Sequence, residues 1–351
     1  MNNRHVGLCI AVVLIVATLI YLERSNAEMP VVFYSDAEDG TAPELAGIVG
    51  YINTDDSFRL KDHIGKEVIL IDFWTYTCIN CQRTLPYLTA WHEKYADQGL
   101  LIVGVHTPEF DFEKKTENVQ KAVKQFGIRY PVVQDNDYQT WRAYANNYWP
   151  HKYLIDIHGN IVYDHVGEGG YKETEEKIQE LLKERMNVLG LRENVAADFV
   201  PVTSVSSYAQ SPETYFGSAR NTNLGNGERG VVGVQDFTLP RNGNPNTLYL
   251  NGHWDIQPEF ARTVDRAASI LFYYGAKNVY MVARAEPAVN IQVLLDGKLV
   301  GRAAGRDLVN GYVTVRDEKL YELISHDEPG AHVLQLVPDR PGLDAFTFTF
   351  G

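Results

Sequence analysis

Cysteine is scarce in this chain: three residues among 351. Cys9 lies in an N-terminal apolar run, so Cys78 and Cys81 are the only thiols in the rest of the sequence. Two neighbouring thiols cannot form a separate disulfide framework. They also cannot supply the four sulfurs of a tetrathiolate zinc site, and the histidines show no ligand-like spacing to complete a mixed one. Basic charge is short as well. A net charge of −13, with no basic patch, excludes a nucleic-acid partner, because nothing would hold the phosphates. The acidic balance is compatible with a soluble, exported body. What remains is ordinarily globular, with 45% hydrophobic and 22% charged residues, and the length suggests two domains.

Long apolar runs are limited to one. Val6–Leu22 is broken only by Thr18, follows Arg4 and His5, and is closed by Glu23-Arg24. That length sits at the lower limit for a spanning helix and slightly above a usual signal core. Ser25-Asn26-Ala27 has the small residues of a cleavage site, whereas the long run favours retention. Residues 1–27 are therefore read as a signal anchor in preference to a removed signal peptide. On either reading the body is exported, and Arg4 keeps the N-terminus on the cytoplasmic side. The body lies on the extracytoplasmic (periplasmic) face, tethered, or free if cut after Ala27. Cys9 comes too early in the run to carry a lipid.

Past a short tether, residues 38–189 alternate strand and helix. Val68–Phe73, Leu100–His106 and Tyr130–Gln134 read as strands. Asn80–Gln98, Lys114–Phe126, Tyr138–Asn146 and Lys172–Arg185 read as helices. Lys152–Ile157 and Ile161–Val166 read as a hairpin around His158-Gly159-Asn160. This pattern predicts an α/β domain with a mixed sheet. Residues 190–211 are small, polar and without helical period, as in a linker. From 212 to 351 no helix-length amphipathic run appears. Ser269–Tyr273, Asn278–Ala283, Val289–Leu295, Leu299–Ala303, His332–Val337 and Ala345–Phe350 read as strands, with a hairpin at Asp296-Gly297. The expectation is an all-β sandwich of the jelly-roll kind.

The chemistry concentrates at Cys78-Ile79-Asn80-Cys81, which follows the apolar strand where a helix should begin. At that spacing one thiol attacks a substrate disulfide and the other resolves the mixed disulfide. A helix N-terminus stabilises the attacking thiolate. Cys78, the outer residue, is the expected nucleophile. Cys81, one turn in, is the resolving thiol. The pair itself is the redox group, and no further cofactor or metal is expected. Asp72 stands six residues upstream in an otherwise apolar strand. Burying a carboxylate there is costly, and desolvation should raise its pKa toward neutrality.

Asp72-Phe73-Trp74, the Cys78–Cys81 pair and Pro86 resemble the thioredoxin fold, in its membrane-tethered TlpA-type branch. Thr75-Tyr76-Thr77 and Ile79-Asn80 resemble more narrowly the soluble part of DipZ-type proteins. Ser211-Pro212-Glu213-Thr214-Tyr215 matches the opening of the β-sandwich that follows in that family. The family's multi-span electron-importing domain has no counterpart in this sequence. A reductase of this form therefore draws electrons from a separate membrane donor.

The resemblance assigns further roles. Asp72 moves protons to and from the resolving thiol. Glu109, after the strand Leu100–His106, either tunes the cysteine pair, as a Glu does there in relatives linked to cytochrome c maturation, or is a solvated loop acid. Pro150 is expected cis and facing the disulfide, where the preceding backbone pairs with a substrate strand. Trp149 either shapes that substrate groove or packs beneath the loop, and His151 is read as an ordinary strand-start residue. Trp74 packs against the site. Thr77 holds the position before the nucleophile, where many relatives have Trp, and is counted with Trp149 and Pro150 among the substrate contacts. Ile79-Asn80 carries no positive charge, unlike the His of strong oxidants. With Asp72, this favours a reductant or mid-potential exchanger of protein disulfides and thiols.

Two other functions stay open. A thiol peroxidase on the same fold would use Thr75, three residues before Cys78, but Ile71 stands where its Pro is expected. A cell-envelope binding protein would use the redox domain as scaffold and the sandwich for a glycan or envelope ligand. Trp254, Tyr273 and Tyr274 are the candidate sugar platform, with core packing the usual role of such aromatics.

Overall fold

A computed structural model describes residues 40–192, 195–203 and 208–351. The apolar run Val6–Leu22, the segment 25–27 and Cys9 lie outside the described residues. Among the described residues, no helix is long and apolar enough to cross a membrane.

The first sheet contains β1 (Gly50–Ile52), β2 (Val68–Trp74), β3 (Leu100–His106), β4 (Val132–Gln134), β5 (His151–Ile155) and β6 (Ile161–Val166). Its order is β1-β4-β3-β2-β5-β6. Every residue of β2 is buried, as a central strand covered on both faces requires. It runs parallel to β3, with Asp72 opposite Gly104, and antiparallel to β5, with Asp72 opposite Lys152. Helices α1 (Ile79–Tyr95), α2 (Thr116–Gln125), α3 (Gln139–Ala143) and α4 (Tyr171–Leu189) complete the domain. Residues of α1, α2 and α4 share one apolar cluster with Val68, Leu70 and Trp74. Trp141 of α3 packs with Ile69, Ile71 and Phe73 on the other face. The alternation of in and out along β2 explains this division.

The sequence placed most of these elements and missed β1, which pairs with β4. The expected strand at Tyr130 begins only at Val132, because Pro131 has no amide to give the ladder. The expected helix Tyr138–Asn146 contracts to α3.

The second domain is all-β. Its strands are β7 (Thr214–Tyr215), β8 (Gly233–Phe237), β9 (Thr247–Ile256), β10 (Ala261–Thr263), β11 (Ser269–Ala285), β12 (Val289–Leu295), β13 (Lys298–Leu299), β14 (Leu308–Val309), β15 (Tyr312–Val315), β16 (Lys319–Pro338) and β17 (Leu343–Phe350). The main path runs β14-β15-β12-β16-β11-β17-β10-β9-β8. Ser269–Tyr273 and Asn278–Ala283, expected as two strands, form one. Gly275 and Ala276 continue the pairing with Ala331 and Gly330 instead of turning. The turn at Asp296-Gly297 has φ values of 51° and 76°, the left-handed pair that a two-residue hairpin requires. Beyond it the strand is limited to Lys298–Leu299, with Val300 still donating to the Val293 carbonyl at 3.0 Å, so the strand expected to Ala303 ends early.

The domains meet through apolar contact. Tyr280, Val282, Leu320 and Phe346 of the second domain belong to the same buried cluster as α1 and β2. The Phe346 ring lies 5.1 Å from Phe110 and 4.9 Å from Phe112. Part of the expected linker is docked as well. Val195, Ala196, Val200 and Val202 pack on the first domain, and the Glu175 carboxylate accepts the Val200 N–H at 3.0 Å.

Candidate active site

Cys78 caps the N-terminus of α1 and is part-exposed, whereas Cys81 is buried one turn in; both are free thiols. The free amides in the first turn of that helix favour a thiolate. The Cys78 thiol points toward the Trp149 carbonyl at 4.0 Å. Cys81 is in contact with Cys78, and its pKa is pushed well up by burial, by Cys78 and by the charge of Asp72. An outer thiol open to a substrate and an inner thiol that keeps its proton are the asymmetry that sequential attack and resolution demand.

Behind the pair lies a buried acid–base couple. Asp72 is almost fully buried, and burial raises its pKa to about 7, with Lys152 pulling the other way. Lys152 is itself completely buried, opposite Asp72 in the β2–β5 ladder, and its Nζ donates to the Gly167 carbonyl at 3.2 Å. Burial lowers the lysine's pKa while Asp72 and Cys81 support its charge. Sequence reading passed over Lys152 as a strand residue. A lone lysine in the apolar β5 was the signal, because a buried acid needs a counter-charge nearby. Trp74 and Tyr130 wall this space. A Cβ on Gly104 would come to 3.0 Å from Trp74 Nε1 and 3.3 Å from the Tyr130 ring, so a larger residue would have to push these rings aside by a few tenths of an ångström.

A second buried carboxylate holds the loop in front of the helix. Glu113 sits in the 3-10 turn Asp111–Lys114 and is fully buried. Its Oε1 accepts the Thr77 hydroxyl at 2.5 Å and the Thr77 amide at 3.3 Å. Its Oε2 accepts the amides of Glu109 at 2.6 Å and Phe110 at 3.1 Å. Burial raises its pKa to about 7, against those hydrogen bonds. Three acids crowd the stretch Glu109–Glu113, and nothing in the sequence distinguished this one.

The expected substrate-side residues divide. The Trp149–Pro150 bond is cis, beside Cys78. Trp149 is part-exposed. Its indole donates to the Thr107 carbonyl at 3.0 Å and lies 4.3 Å from the Trp141 ring, so it both packs and borders the site. Thr77 corrects the expectation of a substrate contact: it is buried and turned inward onto Glu113. Glu109 faces the second domain, where its Oε1 lies 2.8 Å from both Tyr215 Oη and Arg220 Nη1. It is neither solvated nor directed at the cysteines. His151 is held between Asn146 and Asp164. Trp254 and Tyr274 are buried in the core of the second domain and form no surface platform. Among the described residues there is no metal-binding cluster.

Comparison with known proteins agrees with this geometry. Residues 39–164 match the AhpC/TSA family, and residues 211–351 match the thioredoxin-like C-terminal domain family. The DipZ protein of Mycobacterium bovis is 37% identical over 89% of this chain. In both of its parts the chain is similar to the DipZ-type thioredoxin-like proteins. It spans 43% of that relative's length. The thiol-disulfide oxidoreductase YkuV of Bacillus subtilis is 28% identical over 40% of this chain and 94% of its own. The thiol-disulfide oxidoreductase ResA of Bacillus thuringiensis is 31% identical over 36% of this chain and 66% of its own. Cys78 and Cys81 stand where thiol–disulfide exchange requires a thiol pair.

Proposed function

We propose that the chain reduces or exchanges protein disulfides outside the cytoplasm, taking its electrons from a separate membrane donor. The observation that carries this reading is the part-exposed Cys78 backed by the buried Cys81, Asp72 and Lys152. The Cys78 thiolate attacks a substrate disulfide, and the S–S bond breaks to give a mixed disulfide and one substrate thiol. Cys81 gives its proton to Asp72 and attacks the Cys78 sulfur. The second substrate thiol leaves, and Cys78–Cys81 becomes the disulfide. Two electrons pass to the substrate, and the donor returns them by the reverse steps.

Ile79-Asn80 places no cation between the cysteines, which supports a reducing or intermediate potential. The run Val6–Leu22 supports tethering on the extracytoplasmic side. A link to cytochrome c maturation is proposed on the resemblance to TlpA-type proteins alone. A peroxidase is less well supported, because the Thr75 hydroxyl lies against His106 Nε2 at 3.5 Å. The buried Trp254 and Tyr274 weaken the glycan-binding alternative.

The test is equilibration of the pair with glutathione and dithiothreitol. The expected potential lies near that of thioredoxin, ~−270 mV; a value near ~−120 mV would make the protein an oxidant and reverse the direction. A Cys78→Ser variant that keeps full exchange activity would remove the mechanism.

A further inference from the structure

The second domain takes no part in these steps, yet it borders them. A cleft of about 1550 Å³ lies between the two domains. On the redox side its wall includes Tyr76 and Gln82, which bracket Cys78 in the sequence. Gln82 folds back to donate to the Tyr76 carbonyl at 2.8 Å, so this wall adjoins the turn that presents the nucleophile. Among the described residues, the charged side chains the redox domain gives to the cleft are two lysines, Lys115 and Lys121.

The cleft as a whole is lined by seven lysines and arginines against five carboxylates, in a chain whose net charge is −13. Three of those carboxylates are each shared by two cations. Asp344 takes Arg262 and Arg284, Glu318 takes Lys115 and Arg284, and Asp307 takes Lys319 and, at 4.0 Å, Arg306, whose closer partner is Glu322 at 3.1 Å, just outside the lining. Glu286 and Asp317 have no ion-pair partner among the described residues, and neither do Lys121 and Arg316. The balance therefore stays positive where the rest of the molecule is negative. A positive cleft in an acidic body concentrates field and selects acidic ligands.

We propose that this cleft seats an acidic segment of the polypeptide substrate alongside Cys78, with the second domain as its far wall. The assignment rests on the thiol–disulfide exchange reading and gives that reaction a substrate preference. Carboxylates of the substrate would pair with lysine and arginine side chains not saturated by the protein's own acids.

The experiment uses the full chain in reduced form and two disulfide-bridged peptides, identical except for three Glu or three Lys beside the bridge. The Glu peptide should react about tenfold faster at low salt, and the gap should close as salt screens the charges. The double variant Lys121→Glu/Arg316→Glu should lose that preference. Both positions are exposed and lie outside the described ion pairs, so the fold does not depend on them. Its rate with the small uncharged 2-hydroxyethyl disulfide should be unchanged. Equal rates for the two peptides, or a preference that survives in the double variant, would overturn the proposal. Failure of the parent protein to react with any of the three disulfides would instead overturn the exchange reading beneath it.

Discussion

At the scale of single residues, the site depends on charges that the fold keeps from water. Asp72 and Lys152 face each other across two strands, each making the other tolerable. Burial raises the carboxyl of Asp72 to about 7, and the lysine's charge limits that rise. Removing the charge has a definite sign. Lys152→Met should raise the Asp72 pKa further, so that the carboxylate needed to accept the Cys81 proton appears only at higher pH. The pH midpoint for resolution of a mixed disulfide on Cys78 should move up by on the order of one unit. Stopped-flow measurement of that step across pH checks it, with alkylation of Cys78 as control, and an unmoved midpoint would show that Lys152 is only structural. Asp72 was legible in the sequence because a carboxylate in an apolar run stands out. Lys152 was not sought, because a lysine at a strand edge is usually exposed, and only the sheet order puts this strand beside β2.

Between elements, Glu113 ties the 3-10 turn after β3 to the residue that precedes the nucleophile. Its raised pKa carries a stability consequence. A carboxyl whose folded pKa exceeds its unfolded value stabilises the fold fully at pH below about 4.5, and that contribution is lost as pH rises through about 7. Relative to Glu113→Gln, which cannot ionise, the parent protein should lose stability between those limits. At ~1.4 kcal/mol per unit the change is at most about 3.5 kcal/mol. Denaturant titrations of both proteins at pH 5 and pH 8 measure it, and a pH-independent difference would refute the assignment. The elements themselves were readable where one period dominates. β3, β6 and β12 follow apolar runs with their predicted limits. The long β11 and β16 were not readable, because Gly275 and Gly330 signal turns locally and only their mutual pairing keeps the strands going.

Across the whole molecule, the two domains are joined by an apolar seam and a polar clasp. The seam is Phe346 against Phe110 and Phe112. The clasp is Glu109, reached by Arg220 and Tyr215, with the Arg220 guanidinium 3.7 Å above the Tyr215 ring. Arg220→Ala should leave the Glu109 carboxylate buried without its cation. Arg220 is itself partly exposed, so the cost is discounted to about 1–2 kcal/mol. A double-mutant cycle with Glu109→Gln, read by chemical denaturation, should show a coupling above ~0.5 kcal/mol. Additive losses would mean that the clasp contributes nothing beyond its single residues.

The sequence by itself determined the local and compositional features. The two thiols, their place after a buried strand, the acid upstream, and the change from strand–helix alternation to β texture all follow from short-range patterns. Tertiary structure decided which charges meet. Lys152, Glu113 and Arg220 lie 80, 36 and 111 residues from Asp72, Thr77 and Glu109, their respective partners. Nothing in a local period links positions so far apart. Sheet order and domain docking bring them together, and burial then makes each pairing strong enough to matter.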